Sequence, residues 1–250
     1  MIIMPFPSLS VIVPCYNEAQ RVHHIENGLR DLQKQWQGAL EILLVDDGSR
    51  DDTFEKLKNL TTSQLSTQLH QVKLFRTEQN QGKGAALQHG IKMAHHDFVL
   101  TMDADMATEP CTIVQWLEKR GGVYEKEIWI GSRELKQSQV SSHPFRRQIG
   151  QVFNAFLQQL TGLTVRDTQC GYKLYHRPIA QKIFDALETP GWSHDVEILL
   201  RANRLGYAIV EMPVIWHAVK GSKISIWKDS WIMFWEVIRI AKKKKNFPVH

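Results

Sequence analysis

The feature that most constrains this chain is an alternation repeated four times: a short apolar run, a polar cluster, then residues at helical spacing. The runs are Leu9-Ser-Val-Ile-Val-Pro14, Glu41-Ile-Leu-Leu-Val45, Val72-Lys-Leu-Phe-Arg76 and Phe98-Val-Leu-Thr-Met102. Such runs suit parallel strands buried on both faces. The helical stretches after them, from Arg21 to Gln35, from near Asp52, from Asn80 to about Ala94 and after Pro110, supply the crossovers. Ser49 or Asp51 can cap the second helix, and Pro110 suits the first turn of the fourth. The order predicts an α/β fold, an open and mostly parallel sheet whose ligand lies beyond the carboxyl ends of the strands. Those ends carry Tyr16-Asn17-Glu18, Asp46-Asp47, Lys83 and Asp103-Ala104-Asp105.

Asp103 and Asp105 follow the fourth run one residue apart. Side chains two apart on an extended chain point the same way, so both carboxylates address one small volume. They repel each other unless a cation or a proton intervenes, and hard oxygen ligands suit Mg2+ or Mn2+, which in turn hold a pyrophosphate. Taken singly, each cluster has a plainer reading: solvated loop aspartates, a helix cap at Tyr16 to Glu18, a turn at Gly82-Lys83-Gly84. In the functional reading Tyr16 stacks on a base and Lys83, between two glycines at a helix start, approaches phosphate beside backbone amides. The G-x-G-x-x-G fingerprint of nicotinamide enzymes is absent from the first turn. That all four clusters fall on one edge favours a nucleotide site.

The net charge of +5 suits an anionic partner. Because the basic residues gather at the tail rather than across a face, nucleic acid is not expected. Cys15, Cys111 and Cys170 are odd in number and widely spaced, which suggests neither a disulfide framework nor a zinc site and fits a reducing compartment. The apolar start is broken by Pro5 and Pro7, unlike a signal peptide, and no window is long enough for a membrane span.

Val11-Ile-Val-Pro-Cys-Tyr-Asn-Glu18, Leu44-Val-Asp-Asp-Gly-Ser49, Asn80-Gln-Gly-Lys-Gly-Ala-Ala86, Asp103-Ala-Asp105 and Gly131-Ser-Arg133 match, in order and spacing, the pattern of glycosyltransferase family 2. Arg166-Asp-Thr-Gln-Cys-Gly-Tyr-Lys-Leu174, Trp192-Ser-His-Asp-Val-Glu197 and Gly221-Ser-Lys-Ile224 resemble its polyprenyl-phosphate and dolichyl-phosphate branch. The resemblance covers roughly Leu9 to Ile240. It implies the nucleotide-diphospho-sugar A-fold and inverting transfer of one hexose, glucose from UDP-glucose with GDP-mannose as the rival donor, to a polyprenyl phosphate. It also implies that Pro14, Tyr16 and Glu18 line a base pocket and Asp47 contacts the nucleoside. Asp103, Ala104 and Asp105 would meet the diphosphate, the two carboxylates would hold the metal, and Arg133 would reach toward the phosphates. Met106-Ala107 follows the D-x-D where mannosyl-transferring relatives often carry a glutamine, and His194 stands where glucosyl relatives usually have an aromatic residue. The Q-x-x-R-W motif of processive synthases is missing, so single transfer is expected.

In the second half, a polar stretch from Glu134 to Phe145 precedes Arg146-Arg147 and an apolar stripe of Val152, Phe153, Phe156, Leu157 and Leu160. The stripe reads as core; Arg133 and Arg147 can bracket an acceptor phosphate with their forked donors. A phosphate monoester has a second pKa near ~6 and is already nucleophilic at neutral pH, so a strong base is unnecessary. Asp105, Asp167 and Asp195 are the catalytic candidates, the last two for positioning or modest base work, with Glu197 to orient one of them. Metal, Lys83, Arg133 and Lys223 would stabilise the departing nucleoside diphosphate. Residues 1–222 read as the transferase domain, about 1–120 for the nucleotide sugar and 121–222 for the acceptor. Residues 223–250 read as an amphipathic tail. Trp227, Trp231, Phe234, Ile238 and Ala241 form its apolar stripe and Lys242 to Lys245 a basic cluster, as an interfacial helix at the cytoplasmic face of a membrane requires; packing against the catalytic domain is the competing account, and the two are compatible on different faces.

Overall fold

The computed structural model describes residues 6–62, 70–122, 125–141, 144–219, 226–244 and 247. The chain runs β1 (Leu9–Cys15), α1 (Val22–Gln35), β2 (Leu40–Asp46), α2 (Thr53–Thr61), β3 (His70–Arg76), α3 (Lys83–Lys92), β4 (Phe98–Thr101) and α4 (Thr112–Arg120). It continues with β5 (Glu127–Ser132), β6 (Gln139–Ser141), α5 (Pro144–Thr161), β7 (Lys173–His176), α6 (Arg177–Asp185), α7 (His194–Arg204), β8 (Ala208–Pro213), β9 (Ile215–His217) and α8 (Ile226–Lys243). Seven strands form one sheet in the order β3-β2-β1-β4-β7-β5-β8, with β6 and β9 as a separate ribbon. Only β7 runs antiparallel to its neighbours, so the expected mostly parallel sheet is what forms.

The continuous apolar runs follow from burial on both faces. Val11, Val13, Ile42, Leu44 and Leu100 pack toward Ile25, Leu29, Leu57 and Trp116 of α1, α2 and α4. Ile12, Leu43, Val45 and Val99 pack toward Leu87, Ile91, Ile183 and Leu199 of α3, α6 and α7. Cys15 pairs with Asp46 and Ile12 with Thr101, which brings the loops after β1, β2 and β4 out side by side at one edge.

Two local expectations are revised and one is narrowed. β4 stops at Thr101, before the carboxylates; Asp103 to Met106 make a tight turn closed by the Met106 N–H donating to the Asp103 carbonyl at 3.2 Å, with Met106 at φ +56°. The turn, rather than extension, sets the directions of Asp103 and Asp105. Asp51 alone caps α2, accepting from the Thr53 N–H at 3.0 Å, because Ser49 Oγ is used by the Asn17 N–H at 2.8 Å. Pro110 lies ahead of α4, its carbonyl accepting from the Tyr172 hydroxyl at 2.8 Å.

The second half of α8 belongs to the core. Val237, Ile240 and Ala241 are buried, the first two at about 1.5–3 kcal/mol each. Phe234 stacks on Phe156 at 4.9 Å between centroids, whereas Trp235 is 54% exposed. Within the basic cluster, Lys243 pairs with Glu188 at 2.7 Å and Lys244 donates to the Thr161 carbonyl at 3.0 Å, at the negative end of α5. A division at 222/223 therefore leaves core side chains on the tail side. The Trp227 and Trp231 side chains, and Lys245, lie outside the described residues. Among the described residues no helix is long and apolar enough to cross a membrane.

Candidate active site

The edge formed by β1, β2 and β4 collects acids and bases. Lys83, the first residue of α3, places Nζ 2.5 Å from Asp103 Oδ1. Burial pulls the Lys83 ammonium down, but Asp103, Asp195 and Asp105 outweigh it and raise its pKa above the ordinary lysine value. Asp105 turns the other way: burial and the neighbouring Asp103 push its carboxyl up, against the Ala107 N–H that it accepts at 3.0 Å and the cations Lys83 and Arg21. The pair is short of positive charge.

Two hard oxygen donors beside a raised carboxyl pKa fit a divalent cation. Among the described residues no third His, Cys, Asp or Glu completes a cage, so the protein would hold such an ion through Asp103 and Asp105 and leave the remaining positions to water and phosphate oxygens, as suits Mg2+. The backbone supports this placement. A Cβ on Gly171 would lie 2.6 Å from both Asp103 carboxylate oxygens, so glycine is what lets the strand leading into β7 pass the acid.

Arg133, just past β5, is held by Asp167 at three points: Nε to Oδ2 at 2.7 Å, the terminal nitrogen to Oδ1 at 2.9 Å, and the backbone N–H to Oδ2 at 3.0 Å. Burial pushes the Asp167 carboxyl up, but the guanidinium holds it below the usual range. The Arg133 side chain, 30% exposed, also lies 5.5 Å from the Trp216 ring on β9, which flanks the acidic turn through the His217 N–H to Ala107 carbonyl bond of 2.8 Å. Asp195 contacts Lys173 Nζ, which also donates to the Cys170 carbonyl at 2.5 Å. Burial pushes Asp195 up; His194, Lys173 and Lys83 bring it down to about 2.

Asp47 is buried and its carboxylate accepts from Thr77 Oγ1 (3.1 Å), Asn80 Nδ2 (2.9 Å) and the N–H groups of Gln81 (2.9 Å) and Gly82 (2.8 Å). It organises the loop into α3. The glycine-rich start of α3 is a packing device. The Gly84 and Ala85 N–H groups donate to the Pro190 carbonyl at 2.7 and 3.3 Å, and a Cβ on Gly82 would lie 2.5 Å from that oxygen. These amides serve the segment before α7, so of the expected phosphate cradle only the Lys83 ammonium faces the acids.

Pro14 and Tyr16 are half-buried at the end of β1, and Ala104 is buried inside the acidic turn. Glu18 pairs with Arg21 at 2.5 Å, and Arg21 lies near enough to Asp105 to lower its pKa. Arg21 is a further cation of this site, and its spacing of three from Glu18 at a helix start is the signal of it in the sequence. Glu197 orients neither Asp167 nor Asp195: it accepts from the Glu188 and Thr189 N–H groups at 3.0 and 2.9 Å and pairs with Arg201 at 2.7 Å. The Arg147 side chain and Lys223 lie outside the described residues.

Comparison with known proteins agrees with this geometry. The model of the family described as "Glycosyl transferase family 2" matches residues 10–184. A dolichyl-phosphate beta-glucosyltransferase of Dictyostelium discoideum is 34% identical over 242 residues, 93% of this chain and 73% of the relative. The Saccharomyces cerevisiae enzyme of the same description is 30% identical, covering 89% of this chain and 70% of its own length. Glucosyl-3-phosphoglycerate synthase from Mycobacterium tuberculosis, crystallised with Mn2+, UDP and glucosyl-3-phosphoglycerate, shares the fold at 18% identity and a TM-score of 0.66 over 97% of this chain and 81% of that one. By the family model that matches residues 10–184 and by these identities, this chain belongs to glycosyl transferase family 2.

Proposed function

We propose that this protein transfers one glucosyl unit, with inversion, from UDP-glucose to a dolichyl-type polyprenyl phosphate. The observation that carries the reading is the meeting of Lys83 with Asp103 at the sheet edge, where charges of both signs face one small volume. The activity for which the Dictyostelium and yeast relatives are named supplies the sugar and the acceptor class. GDP-mannose remains the rival donor, separated by assay.

In this reading an acceptor phosphate oxygen attacks the anomeric carbon, the bond from that carbon to the β-phosphate oxygen breaks, and UDP leaves with the electron pair. Pro14 and Tyr16 border the base, and Arg21, steadied by Glu18, joins Lys83 and Arg133 around the phosphates. Asp103 and Asp105 would hold a Mg2+ or Mn2+ ion, which would supply charge neutralisation for the diphosphate. Asp167 and Asp195, committed to Arg133 and Lys173, support a positioning role, and the acceptor dianion needs no stronger base. Trp235 and Lys242, both outward on α8, suit a peripheral contact with an anionic membrane surface at its cytoplasmic face. Sedimentation with anionic vesicles tests that contact; failure to sediment removes it.

The decisive assay offers the full chain a panel of nucleotide sugars and a short polyprenyl phosphate, with and without Mn2+. Glucose from UDP-glucose is expected in the lipid extract, lost on chelation and in Asp105→Ala. Transfer by Asp105→Ala at the wild-type rate would remove the metal from the mechanism, and preferential transfer from another donor would replace the sugar.

A further inference from the structure

Trp192 stands out because the chain on either side of it is hydrogen-bonded in place while its own side chain is partly exposed. The chain on either side is pinned: Glu197 holds the Glu188 and Thr189 N–H groups, the Pro190 carbonyl caps α3, and the Gly191 carbonyl oxygen lies 2.8 Å from His194 Nδ1. His194 is fully buried beneath it, against Gly84. Yet the Trp192 side chain is 41% exposed, with its ring centroid 5.6 Å from Lys83 Nζ. Lys83 in turn touches Asp103, so the indole stands within one sugar ring's length of the diphosphate position.

We infer that Trp192 is the platform on which the hexose of the donor stacks, and that it selects a sugar whose ring hydroxyls are equatorial. This rests on the donor reading above and deepens it. A glucopyranose ring carries its hydroxyls at the rim, so axial C–H groups line its faces and can pack on the electron-rich face of an indole. An axial hydroxyl, at carbon 4 of galactose or carbon 2 of mannose, projects from the same ring face, so an indole against that face meets a polar group to which it offers no hydrogen bond, and the selection holds for that face alone. The fixed backbone matters here: an indole that cannot retreat discriminates by shape, whereas a mobile one would adapt. Lys83 Nζ lies over the indole, 5.6 Å from its centroid, so the anomeric phosphate end of the sugar meets the ammonium and the ring body covers the exposed remainder of the indole.

Covering roughly 50 Å² of apolar area at ~25 cal/mol per Å² corresponds to about tenfold in affinity. The experiment compares wild type, Trp192→Ala and Trp192→Phe by calorimetric titration with UDP, UDP-glucose and UDP-galactose in Mn2+, with thermal melting alongside. Expected for Trp192→Ala is an unchanged melting temperature, an unchanged Kd for UDP, about a tenfold rise in Kd for UDP-glucose and a narrowed gap between glucose and galactose. Trp192→Phe should recover most of the loss. If the alanine variant binds UDP-glucose as wild type does, or loses UDP and UDP-glucose alike, the platform is refuted while the donor reading stands. Loss confined to vesicle binding refutes it too, and assigns the indole to a lipid surface. A wild type that binds none of the three uridine nucleotides would overturn the donor reading itself and the platform with it.

Discussion

Replacing Gly171 with alanine tests whether Asp103 sits at the reacting centre. The new methyl would be 2.6 Å from both Asp103 oxygens, about 0.8 Å short of ordinary contact at 3.4 Å. Asp103 is 38% exposed and can swing outward, so the fold need not rearrange. The stability cost should stay near ~1 kcal/mol, a fall of about 2–4 °C in melting temperature for a chain of this size. Activity should suffer far more. A displacement approaching 1 Å in a group that orients the diphosphate costs about 100-fold in rate. Melting curves and initial transfer rates on one preparation separate the two effects. Gly150→Ala is the control: nothing lies within 4 Å of its Cβ position in α5, and removing a helical glycine should add about 0.5–1 kcal/mol without touching transfer. A Gly171→Ala enzyme with wild-type turnover, or one whose activity falls only as far as its folded fraction, would refute the reasoning.

Asp167→Asn keeps the shape but removes the charge that holds Arg133; it should weaken transfer without abolishing it and lower stability by about 1–3 kcal/mol in urea titration, discounted because Arg133 is partly solvated. Asp195 has a folded pKa depressed from 3.8 to about 2, so the stability it contributes is fully present above 3.8 and lost as pH falls through 2. Asp195→Asn should therefore flatten the acid limb of the stability curve in that window, and an unchanged limb would dismiss the Asp195–Lys173 pair as a stabilising contact. Arg21→Ala should raise the KM for the donor about tenfold with little change in melting temperature, an effect on kcat alone counting against a phosphate contact.

How far the site could be read in advance differs residue by residue. The positions of Lys83, Asp103 and Asp105 at strand ends were legible because apolar runs stop where the sheet stops. Partners were not legible. Arg133 and Asp167 are 34 residues apart, and no local pattern announces that the guanidinium takes both carboxylate oxygens. For Asp47, the sequence did not show that four donors from the 77–82 loop converge on its carboxylate. Gly82 and Gly84 carried the look of a phosphate loop because glycine marks close approach of any backbone, and here the backbone is that of Pro190.

By itself, then, the sequence determined the alternation of strands and helices, the edge on which the chemistry gathers and the residue types available there. These follow from burial periodicity and chain order, which are local. The tertiary structure alone decided which charge neutralises which, that Asp103 and Asp105 are aimed by a turn, that half of α8 completes the core, and that Trp192 is left facing the site. Those outcomes depend on segments distant in the chain meeting at ångström range, where electrostatics and steric contact act and periodicity carries no information.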